Sequence, residues 1–248
     1  MPDAEGTEMP HRPFLCELSN AKFFLNMPGR SIPCPLLLCF LFLSSLIHAS
    51  PAKAPVDIWT VADCVRINPQ TNKAYKDNTV YDHDLKGNYR DQNSVWDRSQ
   101  NLVRLFAGRN EVVAFQLVLE TAGLSGMQVL VSDLKHSKTK NMISSRSHIE
   151  VFREWYVEIK KKTTDETTAS AGHTLGLGWY PDALVPARSG SGYGQPFQVP
   201  DKLNPVPGQK NQAFWVDIYV PKSAEAGLYR GKVQIQARKF KKELNLQL

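Results

Sequence analysis

Apolar residues recur at every second position in several stretches of this chain, the spacing that puts them on one face of a pleated strand. In Asn211 to Gln236, Phe214, Val216, Ile218 and Val220 alternate with Trp215, Asp217 and Tyr219. Burying the first four contributes roughly 1.5 to 3 kcal/mol each. Pro221 ends that ladder because it has no N–H to donate. Ser223 to Gly227 is small and polar, and the alternation resumes at Val233, Ile235 and Ala237, which predicts two antiparallel strands joined by a loop. Upstream, Asn93 to Glu120 predicts a short strand at Leu102 and Arg104, a turn at Gly108 and a long central strand. On that strand Val113, Phe115, Leu117 and Leu119 face one way and Ala114, Gln116, Val118 and Glu120 the other. Val56 to Ile67 reads as a first, outer strand, and Met127 to Leu134 as another.

His148 to Lys160 alternates only imperfectly. A helix there would line Glu150, Glu154 and Glu158 on one face at a cost in repulsion. Val, Phe, Trp, Tyr and Ile dominate and no cap precedes them, so a long strand with a bulge is expected. The whole pattern is all-β: an antiparallel two-sheet sandwich with a long Gly/Pro-rich loop.

Two stretches lack an apolar period. Asn68 to Ser94 predicts a long loop, and its Tyr81, Asp82, His83 and Asp84 raise the question of a metal. Adjacent side chains diverge, whereas calcium loops place oxygens at alternate positions around a Gly turn, so no metal site is expected. Thr163 to Lys210 predicts the Gly/Pro-rich loop, centred on GWYPDALVP from Gly178 to Pro186. Tyr180 precedes Pro181 and must stay extended, which would hold Trp179 and Tyr180 as an aromatic projection. Asp182 would accept hydrogen bonds from backbone amides in the turn.

Residues 1–54 do not fit the sandwich. Pro35 to Ile47, PLLLCFLFLSSLI, is too short to span a bilayer but has the length of a secretory signal core, with Arg30 before it and Ala49, Ser50, Ala52 and Ala54 after it. A start at Met27 gives a signal of conventional layout. The alternatives are a long functional leader or an uncleaved anchor; lipidation is disfavoured because Cys39 follows three Leu. The expected mature domain is therefore 55–248, secreted or periplasmic, with no membrane association after cleavage. Of four cysteines only Cys64 remains in it, so no internal disulfide forms and a packed core must hold the fold. Cys64 is expected as a small half-buried residue. The net charge of +6, from 30 basic and 24 acidic residues, is spread over strand ends and edges, where lysines oppose aggregation. A nucleic-acid partner is not expected without a continuous basic surface.

Four motifs stand in order: A-G-R-N-E with V-V-A-F-Q-L-V-L at 107–119, F-R-E-W-Y-V at 152–157, W-Y-P-D-A-L-x-P at 179–186, and N-Q-x-F-W-V-D at 211–217 leading to V-P and G-x-Y-x-G. This arrangement resembles the amino-terminal β-sandwich domain of secreted bacterial proteins related to glycoside hydrolase family 123, over roughly Asn93 to Leu248. In that family the resemblance implies chemistry on a following barrel, where an adjacent Asp and Glu assist cleavage of N-acetylgalactosaminides. No such barrel follows here, and the chain stops in ELNLQL, in or just after a strand, so it reads as the front part of a longer protein. None of the family's catalytic residues carries over.

Arg109, Asn110 and Glu111 read as a polar turn, with Glu111 pairing to Arg109 or a nearby amide. Asp182 with Glu154 is the best carboxylate pair for glycoside hydrolysis, yet neither falls in an acid/base motif. No phosphate loop, nucleophile elbow or clustered Cys/His set is present, and no catalytic residue, metal or cofactor is expected. Two readings stay open. One is a non-catalytic accessory domain that braces a barrel or presents substrate to it, with the barrel as its partner. The other is an independent carbohydrate-binding or adhesion module. Trp179, Tyr180, Asp182 and Tyr193 are the candidates for a domain interface or for a glycan.

Overall fold

The computed structural model describes residues 56–75, 85–121, 123–161, 176–187 and 196–248. The expected leader, Tyr81 to Asp84 and Tyr193 lie outside them. The described strands in chain order are β1 (Asp57–Ala62), β2 (Trp96–Asp97), β3 (Leu102–Arg104), β4 (Glu111–Glu120), β5 (Leu124–Val131), β6 (Leu134–His136) and β7 (Met142–Ile143). After a single helical turn, α1 (Ser145–His148), come β8 (Ile149–Ile159), β9 (Gly178–Pro186), β10 (Phe197–Val199), β11 (Asn211–Val220), β12 (Tyr229–Ala237) and β13 (Phe240–Gln247).

They form two sheets. The first has the order β1-β4-β11-β8-β9 and is antiparallel throughout. The second runs β10-β5-β12-β13-β3-β2, with β6 beside β12 and β7 beside β6; only β13 and β3 run parallel. The predicted alternation on β11 holds: Phe214, Val216, Ile218 and Val220 are buried. Register pairs Phe214 with Leu117 and Val216 with Phe115, so these side chains share the sheet face that packs on Val233, Ile235, Leu244 and Leu246 of the second sheet. Phe197 stacks on Phe214 across the core, ring centroids 5.1 Å apart.

β11 and β12 do not pair with each other, contrary to the hairpin expectation. β11 lies between β4 and β8, whereas β12 lies between β13 and the β5/β6 edge. Both apolar rows must meet across one core, and adjacent strands of a single sheet point the same way rather than at each other. The connection after Pro221 therefore arches from sheet to sheet.

The G-x-Y-x-G run at 227–231 is what this arch needs. Gly227 has φ of 150°, and a Cβ there would overlap the His136 ring. The Tyr229 ring meets His136 edge-on at 5.0 Å, and its hydroxyl lies 2.7 Å from Asn141 Oδ1 and 3.0 Å from the Glu225 carbonyl, between which its single hydrogen is shared. Gly231 leaves room for Leu134. Gly227→Ala is expected to cost about 1–3 kcal/mol, through positive φ and overpacking together. An unchanged urea midpoint would contradict this account.

The R-N-E turn is likewise structural. Gly108 N donates to Glu111 Oε2, Asn110 takes φ of 62°, its amide donates to the Val220 carbonyl at 2.7 Å and Tyr219 Oη donates to Asn110 Oδ1 at 3.0 Å. The turn is thereby tied to the end of β11.

The GWYPDALVP stretch is not the centre of a loop. It forms β9, the edge strand beside β8, where Pro181 and Pro186 cost no central ladder bond. The bulge expected in β8 falls on its partner instead: consecutive Trp155 and Tyr156 pair with Ala183 and Pro181, leaving Asp182 of β9 as the extra residue. Local Gly and Pro content suggested a loop, but β8 supplies a long complementary edge that sequence proximity does not reveal.

Candidate functional site

From Ala114 to Leu119 both faces of β4 are buried. Phe115 and Leu117 face the core, while Gln116 and Val118 face outward and are covered all the same. The cover is the segment from Asp63 to Tyr75. Gln116 Nε2 donates to the carbonyls of Ala62, Asp63 and Val65 at 3.2, 2.7 and 2.6 Å, folding the segment onto the sheet. Glu120 holds its far end, accepting from Trp59 Nε1 at 2.8 Å and Asn72 Nδ2 at 2.7 Å, with Arg90 at 3.2 Å.

Between this cover and β9 lies a cleft of about 330 Å³, lined by Asp63, Cys64, Arg66, Gln116, Glu154, Pro181, Asp182, Leu184 and Trp215. Register explains the grouping. Gln116 pairs with Trp215, Trp215 with Phe152, and Glu154 lies two residues along β8 from Phe152, hence on the same outer face. Leu184 pairs with Glu154. The bulge sets Asp182 at the rim.

Glu154 is 4 % exposed, and no described residue hydrogen-bonds to either of its carboxyl oxygens. Burial pushes its pKa from 4.5 to about 8, so the group is a neutral acid at pH 7. The neighbouring Tyr156 phenol is raised too, by its own burial first and then by Glu154. Gln116 Oε1 is also buried without a hydrogen-bond partner. Trp215 is half-buried, its indole N–H donating to Asp217 Oδ1 at 2.6 Å, which fixes the ring. The Glu154 carboxyl oxygens and Gln116 Oε1 are thus sealed from solvent, beside a cleft whose lining includes the Trp215 indole, Pro181 and Leu184. Among the described residues no cluster of three His, Cys, Asp or Glu is placed to hold a metal.

Glu154 and Asp182, paired on paper, do line one cleft. The burial of Glu154 had no sequence signal: three glutamates four apart look solvated, and the cover arrives from residues far away in the chain. Gln116 was foreseen only as the outward side of β4. Trp179 is half-buried on β9 and pairs in register with Glu158. Tyr180 is buried rather than projecting: its ring stacks on Tyr75 at 4.7 Å and its hydroxyl donates to the Gly176 carbonyl. Tyr75 in turn donates to the Trp179 carbonyl, and burial raises its pKa to about 12. Asp182 is exposed. Cys64 is half-buried on the wall of the cleft, the position expected of a small structural residue.

No curated protein sequence matches the chain. Among solved structures, a family 123 glycoside hydrolase from Clostridium perfringens, described for glycolipid glycan hydrolysis, aligns with a TM-score of 0.51 at 14% identity. The alignment covers 77% of this chain and 26% of that one, so the chain spans about a quarter of its relative's length. At this identity the likeness concerns the fold. AvmM, which catalyses macrocyclization in alchivemycin A biosynthesis, aligns with a TM-score of 0.28 at 8% identity, over 60% of this chain and 83% of that one. The RrgB pilus backbone of Streptococcus pneumoniae aligns at 0.27 and 12%, over 74% and 53%. Scores this low bear no weight. The family described as glycoside hydrolase 123 N-terminal domain matches residues 84–237, which takes in all four motifs and the strands from β2 to β12. The chain belongs to the family of glycoside hydrolase 123 N-terminal domains.

Proposed function

We propose that this glycoside-hydrolase-associated domain is an exported, non-catalytic accessory module that braces a catalytic barrel along its β9 edge. The observation that carries the reading is the apolar margin there. Leu177 is 57% exposed, and Val157 and Ile159 of β8 are exposed on either side of the Glu158–Trp179 pair. β9 is also the open end of its sheet among the described strands. An apolar edge with unpaired backbone groups is a liability unless another body covers it. The covering body is the catalytic part that family 123 hydrolases carry beyond this domain.

Glu154 and Asp182 support catalysis less well. A general acid must reach a leaving oxygen, whereas the Glu154 carboxyl lies on the floor beneath the cover, and Asp182 stands at the open rim. Glycan-array binding by the purified chain separates the readings, because Trp179→Ala is expected to leave every signal unchanged. A saturable signal lost in Trp179→Ala would make the β9 edge a glycan site and overturn bracing. Turnover of an aryl galactosaminide that disappears in Glu154→Gln would overturn the non-catalytic assignment.

A further inference from the structure

The Glu154 carboxyl is sealed at 4% exposure with neither oxygen satisfied by any described residue, an arrangement that buried polar atoms ordinarily avoid. Solvent is close at hand, because Glu154 stands in the wall of the cleft of about 330 Å³ together with residues of the cover, β9 and β11. A carboxylate formed there gains hydration only if one of those walls gives way.

The walls are held unequally. On the β11 side Gln212 Nε2 donates to the Glu154 carbonyl at 2.8 Å, and β11 is an inner strand between β4 and β8. The cover is tied to the sheet by Gln116 through three carbonyls and anchored in the core by Val65 and Ile67. Farther along it, Asn211 Nδ2 donates to the Asn68 carbonyl at 2.9 Å and Lys210 N to that of Pro69 at 2.7 Å. β9 is pinned only at its ends. Tyr180 stacks on Tyr75 at one of them, and at the other Ala187 is buried and donates to the Val151 carbonyl at 2.9 Å. Between these pins Pro181 to Pro186 is an edge on which Asp182, Ala183, Leu184 and Pro186 are exposed. Its two prolines have no N–H to give, and Asp182 is the unpaired bulge residue. Leu184 of this stretch is the register partner of Glu154. Few buried contacts and an interrupted ladder mark a segment that opens without the rest of the fold.

We propose that Pro181 to Pro186 is a flap hinged at Tyr180 and Ala187, shut over a protonated Glu154 and driven open by its ionisation. The shut form holds the neutral acid, in line with a carboxyl pushed up to about 8 by burial, and the open form lets the carboxylate reach water through the cleft. The titratable and charged groups facing Glu154 are Asp63, Cys64 and Arg66 on the cover, Asp182 on β9 and the Tyr156 phenol on β8. β4 and β11 face the cleft with the neutral Gln116 and Trp215. Burial raises the Tyr156 phenol well above its ordinary value, so it stays neutral through the same range. The flap is the middle of the β9 edge, so its opening reshapes the surface that bracing uses. The inference itself needs no docked body, and its failure would leave bracing untouched.

Native-state hydrogen exchange of the full chain tests it, read peptide by peptide in mass spectrometry across neutral pH and corrected for the intrinsic pH dependence of amide exchange. In the wild type, protection of the Pro181–Pro186 peptide is expected to fall about tenfold per pH unit as pH rises toward about 8, because opening releases one proton. In Glu154→Gln, which keeps the shape of the neutral acid, that protection should stay level. The other facing groups are common to both proteins and cancel in the comparison. A second reading needs the wild type alone. There the flap should exchange faster than the β11 peptide Asn211–Val220 and respond little to sub-denaturing urea, because a local opening exposes little surface. Exchange at the β11 rate with the same urea slope would make the opening global and overturn the flap. The same pH slope in Glu154→Gln would remove Glu154 as its driver, and a gain of exchange in Asp63–Arg66 instead of Pro181–Pro186 would make the cover the moving wall; either overturns the proposal.

Discussion

Between pH 4.5 and about 8 the folded chain is expected to lose on the order of 5 kcal/mol of stability to one residue, at about 1.4 kcal/mol per pH unit, and Glu154→Gln to abolish that loss. Below the lower limit Glu154 is protonated whether the chain is folded or not, so it contributes no slope. Inside the window the unfolded chain releases the proton and the folded chain keeps it. Stability then falls as pH rises, and it levels off once the folded carboxyl has ionised as well. The opposite sign belongs to Asp97, held low by the Ser99 hydroxyl, Asp133, by the Ser145 amide, and Glu243, by Lys232. Each of these stabilises above its unfolded pKa and loses that contribution as pH falls. They are common to wild type and variant and cancel in the difference. Urea unfolding at the two ends of the window measures it: the variants should match at the acidic end, and Glu154→Gln should be the more stable at the basic end. Parallel pH profiles would mean that Glu154 is hydrated in solution.

Asp201→Ala is expected to cost about 3–5 kcal/mol, the usual penalty for removing one partner of a buried ion pair. Arg153 of β8 lies beside Phe214 on the core face, with its guanidinium over the rings of Trp155 and Phe197 at 5.2 and 5.8 Å. It forms an ion pair with Asp201, and both side chains are almost wholly buried. Asp201 Oδ1 also accepts from Leu203 N at 2.7 Å, so the carboxylate orders the segment after β10 as well as neutralising the cation. Alanine would leave a positive charge in an aromatic setting. Replacing both partners, Arg153→Met with Asp201→Leu, removes the desolvated charges together and should cost far less than the single change. A double-mutant cycle in urea reads the coupling. If the two single substitutions simply added, the pair would have no structural role.

Much of the sandwich was legible locally. The period of two on β11, the interior position of β4, the outer position of β1 and the extended form of β8 all follow from side-chain alternation and β-branched content. The R-N-E turn was legible too, because a polar run between apolar strands has few other roles. Strand partnership was not. The same alternation on β11 and β12 fits a hairpin or an arch, and β9 carries the Gly and Pro content of a loop although it pairs along most of β8. The site was still less visible. Glu154 became a buried neutral acid only when Asp63 to Tyr75 was drawn across the outer face by Gln116, a contact between residues about fifty positions apart. Tyr180 lost its expected exposure to Tyr75, more than a hundred positions away.

By itself the order of residues determined which segments extend and which of their faces shun water, since both depend on neighbours two positions apart. Tertiary structure alone decided which strands pair, where the chain crosses between sheets and which carboxyl is stripped of water. Those outcomes depend on surfaces brought together from distant parts of the chain, and desolvation has no local signature.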